Sequence, residues 1–96
     1  MPDKIYFVKK GPADPFRGDW YLEEKTFDNQ EEAISIAAAL TKENFTEFGK
    51  DWDEFGYEWS VFEKDGDSEK KVWEGYKYIS LLRKGNTDLN SGKIDG

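Results

Sequence analysis

Apolar and polar residues alternate along Lys4 to Lys9, "KIYFVK", with Ile5/Phe7 on one parity and Tyr6/Val8 on the other. A period of two predicts a β-strand. "KGPADPFRGD" follows with two prolines and two glycines, so the chain must turn there. Asp19 to Phe27, "DWYLEEKTF", predicts a second strand, with Trp20 and Leu22 on one side and Tyr21 and Phe27 on the other parity.

The period then changes to that of a helix. Ala33, Ile34, Ala37, Leu40, Phe45 and Phe48 fall on one face at 100° per residue. Asp28, with Glu31 three residues later, has the spacing of a capping box, and Gly49 is a suitable stop. The expected helix runs from Gln30 to Thr46. Alternation returns at Tyr57–Lys64, "YEWSVFEK", with Tyr57, Trp59 and Val61 on one face. Asp65-Gly66 signals a hairpin, and "KVWEGYKYISLL", residues 71–82, predicts a fourth strand with a bulge at Gly75.

The order β-β-α-β-β predicts an α+β fold, two layers deep: one amphipathic helix packed on a mainly antiparallel four-stranded sheet. Residues 1–84 form a single expected domain, and 85–96, which lack periodicity, a flexible C-terminal tail. Ile5/Phe7, Trp20/Leu22 and Trp59/Val61 are expected under the helix. The other face would then show some of Tyr6, Val8, Tyr21, Phe62, Tyr76 and Tyr78.

Composition narrows the chemistry. Four Trp, five Tyr and seven Phe supply much of the burial in a chain of 96 residues. With no cysteine and no histidine, thiol catalysis, disulfides, Cys-based zinc sites and the commonest general base are excluded. No apolar run reaches the roughly 18 residues of a membrane span, so the expected location is cytoplasmic and no membrane partner is expected. No cofactor or metal is expected. "EKDGDSEKKVWE" repeats acids at Glu63, Asp65, Asp67 and Glu74, but Gly66 precedes the position a calcium loop requires. No nucleophile, phosphate-loop or dinucleotide motif is present, and the chain reads as a non-enzyme.

Charge is distributed unevenly. The net charge is −7, and residues 28–56 hold eight acids against only Lys42 and Lys50. Within that third, "FTEFGKDWDEFGYEW" (residues 45–59) combines six aromatic residues with five acids. The plain reading is a charged connection pinned to the core by Trp52 and Phe55. The functional reading is an acidic docking surface: Glu32, Glu43, Glu47, Asp51, Asp53 and Glu54 supply the field, and Ile36, Trp52 and Phe55 are candidate anchors. Carboxylates around an apolar knob suit a basic protein partner, a nucleic-acid-binding enzyme included, which the domain would inhibit or regulate. In composition and size, though in no motif, the chain resembles small phage proteins that imitate a phosphate track. The alternative expectation is a sheet-face binder of single-stranded nucleic acid or a small apolar ligand, or a homodimer through the same face.

Overall fold

The computed structural model describes residues 4–94; the remaining residues of the expected domain and tail lie outside the described residues. Its strands are β1 (Lys4–Pro12), β2 (Leu22–Phe27), β3 (Tyr57–Asp65) and β4 (Ser68–Trp73). Its helices are α1 (Gln30–Phe48), the single turn α2 (Trp52–Phe55) and α3 (Gly75–Leu82). The sheet is antiparallel throughout, in the order β2-β1-β3-β4, as an α+β fold with α1 between β2 and β3.

Register fixes which residues meet the helix. Val8 stands opposite Val61, and Val61 opposite Trp73. These residues and Trp59 are buried against Ala33, Ile34, Ala37 and Ala38 of α1. The helix offers small side chains and the sheet offers indoles, so the two layers can approach closely. Tyr6 and Val8 therefore lie on the helix side, and Ile5 and Phe7 on the open side. This corrects the expected faces of β1. Both parities of "KIYFVK" carry two apolar residues, so alternation alone does not choose between them.

Asn29, not Asp28, caps α1: its side chain accepts from the backbone N–H of Glu32 at 3.0 Å. Asn29–Glu32 repeats the capping spacing of Asp28–Glu31 one residue later, so the sequence pattern fits both. At the other end Gly49 adopts φ 57° and its N–H bonds Phe45, as a stop residue should.

The expected fourth strand is half strand and half helix. β4 ends at Trp73, and Gly75, Tyr78 and Ile79 are buried at helical spacing in α3. The short run satisfies both periods, and packing decides. Gly75 marks the corner rather than a bulge: a Cβ there would lie 2.5 Å from the Trp59 carbonyl oxygen and 2.7 Å from Glu58 Oε2. The register shifts fall instead between Val8 and Lys9 and between Val61 and Phe62.

Residues 85–94 are docked rather than trailing. The Trp73 indole donates to the Leu89 carbonyl at 2.8 Å, Glu74 N–H to Gly92 at 2.8 Å, and Ile94 N–H to Val72 at 3.0 Å. Gly92 lies against the Trp73 ring, where a Cβ would come within 2.5 Å. Residues 92–94 pair by backbone with the Val72–Glu74 end of the β4 edge, which leaves no side-chain periodicity to read.

The start of β3 extends beyond β4 and needs other partners. Thr41 Oγ1 accepts from Trp59 N–H at 2.9 Å, Asn44 Oδ1 from Tyr57 N–H at 2.8 Å, and the Trp52 indole donates to the Tyr57 carbonyl at 3.0 Å. Side chains of α1 and α2 thus stand in for the missing strand and fix the acidic segment to the sheet.

Candidate functional site

Residues 45–59 sort their rings into two environments. Trp52 is fully buried: it stacks on Tyr76 with centroids 6.2 Å apart and meets Phe45 edge-on at 5.6 Å. Its ring is a core element and not a surface anchor. Phe55, three residues on, is 60% exposed. Phe45, Phe48, Tyr57 and Trp59 are all buried or largely buried. Trp52 packs between Phe45 of α1 and Tyr76 of α3, whereas Phe55, the last residue of α2, faces water.

The carboxylates also divide. Asp53 Oδ2 pairs with Arg83 at 3.2 Å, and that guanidinium lies 5.0 Å from the Phe45 centroid and 5.5 Å from that of Trp52. Asp53 is therefore tied to the α3 end. Glu32, Glu43, Glu47, Asp51 and Glu54 are exposed. Among the described residues none of these five is in an ion pair. At about 1.5 Å per residue, Glu32 to Glu47 covers about 22 Å of the outer side of α1. Ile36 is partly exposed in the same row, and a shallow strip with Ala39, Lys42 and Thr46 runs between Glu43 and Glu47.

A second aromatic turn was not singled out from sequence. The 3₁₀ turn Pro15–Arg17 displays Phe16 at 96% exposure. Arg17 reaches from it to the Gly56 carbonyl at 2.7 Å and the Asp53 carbonyl at 3.4 Å, so this turn and α2 are neighbours. Trp20, which contacts Tyr57 edge-on at 6.2 Å, and Leu22 are exposed as well. The signal in the sequence was the Asp14-Pro15 turn opener ahead of an apolar residue with no periodic partner.

A buried carboxylate forms a separate cluster on the open side of the sheet. Glu58 is buried, and its Oε1 accepts from the Tyr21 hydroxyl at 2.8 Å. Its Oε2 accepts from Ser60 Oγ and, at 3.2 Å, from Gly75 N–H at the start of α3. Lys71 Nζ donates to the Tyr21 oxygen at 2.9 Å and to Glu74 at 3.0 Å. Burial pushes the Glu58 carboxyl above its ordinary range, against the opposing pull of Ser60, Tyr21 and Lys71. Burial and the Glu58 charge push the Tyr21 phenol up to about 12. Burial lowers Lys71, but its bonds to Tyr21 and Glu74 outweigh that and leave it raised. Both Glu58 oxygens are bonded within this cluster. The grooves at Glu31–Lys93, along Lys42–Glu47 and at Glu63–Lys70 include none of these residues. The cluster joins β2's approach, β3, β4 and α3 as a strut.

The open face itself holds fewer rings than expected. Tyr21 and Phe62 meet edge-on at 5.1 Å, beside Phe7, but Tyr6 is on the helix side and Tyr76 and Tyr78 belong to α3. Lys9 and Lys71 lie over Phe62 and pair with Glu69 and Glu74. No helix among the described residues is long and apolar enough to cross a membrane. Compared with protein-family models, curated proteins and solved structures, the chain matches none.

Proposed function

We propose that this protein is a non-catalytic binding domain that docks on a basic protein and inhibits or regulates it. Phe55 carries the reading. It is the exposed ring of an otherwise buried aromatic set, and Asp51 and Glu54 beside it are exposed without ion-pair partners among the described residues. Exposed carboxylates steer a cationic partner into encounter, and a desolvated ring at the centre then supplies affinity. The row Glu32, Glu43 and Glu47 extends the same field along α1. Nucleic-acid-handling enzymes present cationic grooves for phosphates and are the partner class of best fit.

The test is affinity capture from an extract of the source cells with wild type, Phe55→Ala and Asp51→Lys/Glu54→Lys side by side. A basic protein should be retained by wild type at about 50 mM salt and released at about 500 mM, where screening shortens to a few ångströms. Both variants should lose it. Equal retention by all three proteins would overturn the reading.

A further inference from the structure

A cleft of about 430 Å³ lies along the seam between the first turns of α1 and the docked C-terminal segment. Its walls include Glu31, Ile34 and Ser35 from α1 and Asp88, Leu89 and Lys93 from the segment. That volume is in the range of small-molecule sites. The bonds that hold the segment run to β4 and α3: the Trp73 indole donates to the Leu89 carbonyl at 2.8 Å, Ile94 N–H to Val72 at 3.0 Å, and Lys77 Nζ to the Lys93 carbonyl at 2.6 Å. Among the described residues no hydrogen bond or ion pair joins the segment to α1. Glu31, Asp88 and Lys93 line one space, yet none of the three is in an ion pair among the described residues. Asp88 commits only Oδ1, which accepts from Asn90 N–H at 3.0 Å as the cap of the 3₁₀ turn Leu89–Gly92.

We propose that this cleft binds a small organic molecule that carries an ammonium group on an apolar body. Ile34, 5% exposed, offers an apolar floor, and Leu89, 39% exposed, an apolar rim. Two carboxylates against one lysine leave the lining negative, and the net charge of −7 draws a cation toward it. The positive end of α1 is already answered by the Asn29 cap and Glu32. A bare divalent ion wants several oxygen ligands and no apolar floor, and the described residues hold no group of three or more acidic side chains suited to one. A ligand in the seam touches both walls, so its binding also ties the segment to α1.

The test is an amide NMR titration of the purified full chain with phenethylamine, and with phenylpropionate under the same conditions. Phenethylamine should give saturable shifts at Glu31, Ser35 and residues 87–93, move the Trp73 indole resonance, and slow hydrogen exchange at the Ile94 amide. Phenylpropionate should give none of these. Glu31→Gln/Asp88→Asn removes both charges and keeps the turn, since Asn caps as well as Asp, and should weaken amine binding at least about tenfold. Unchanged amine binding in that variant, or equal shifts from phenylpropionate, would overturn the ammonium assignment. No saturable shift from phenethylamine into the tens of millimolar, where a ligand this small should bind, would overturn the cleft as a site. No partner protein enters the titration and none of the docking carboxylates lines the cleft, so neither result bears on acidic docking.

Discussion

Thr41→Val isolates the contact that fixes the acidic helix to the sheet. The substitution keeps shape and removes the hydroxyl. Thr41 is fully buried, and its Oγ1 accepts from Trp59 N–H at 2.9 Å while donating to the Ala37 carbonyl at 2.7 Å. Valine leaves the Trp59 amide buried without a partner, which costs about 1–3 kcal/mol, and forfeits the bond to Ala37 at about 1 kcal/mol. The expected loss is about 2–4 kcal/mol. For a domain of this size that is a fall in Tm of about 10–30 °C. Thr46 makes the same back-bond, to the Lys42 carbonyl at 2.9 Å, but on the exposed side and with no strand to serve. Thr46→Val should stay within about 0.5 kcal/mol of wild type. Urea and thermal unfolding of the two variants decide the matter. Equal losses would show that α1 does not complete the β3 edge through Thr41.

Glu58→Gln tests the strut through pH. A carboxyl whose folded pKa is raised contributes stability that is fully present below its unfolded pKa and is lost as pH rises through the folded value. The stability of wild type relative to the Gln variant should therefore decline from the ordinary carboxylate range upward, and parallel pH curves would contradict the raised pKa. Trp52→Ala should cost about 3–5 kcal/mol by denaturant unfolding, as for a fully buried indole, while Phe55→Ala leaves stability within about 0.5 kcal/mol. Similar losses at both positions would mean that Phe55 is packed rather than displayed.

The sequence was most readable where one period dominated. The α1 stripe, the stop at Gly49 and the alternation of β3 each follow from a single repeat that no competing pattern matched. It was least readable where two patterns coexist, as in residues 71–82, where aromatic spacing fits a strand and a helix equally. Faces of β1 were ambiguous for the same reason. The docked segment 85–94 was invisible because it acts through backbone groups, and the strut because Glu58 lies far in sequence from Tyr21, Lys71 and Gly75. In the acidic segment the six rings look alike on paper. Only the tertiary contacts separate Trp52, which packs on Phe45 and Tyr76, from Phe55, which is left exposed. Asp53 likewise looked like its neighbours until Arg83, thirty residues on, was brought beside it.

The most direct measurement is the association rate with the captured partner across ionic strength, for wild type and for Glu47→Lys/Asp51→Lys/Glu54→Lys. Asp53 is left intact because its charge is engaged by Arg83. The account expects the variant to associate at least about tenfold more slowly at low salt and to lose most of the salt dependence. Rates that match wild type at every salt concentration would contradict the claim that this surface recruits a cationic protein.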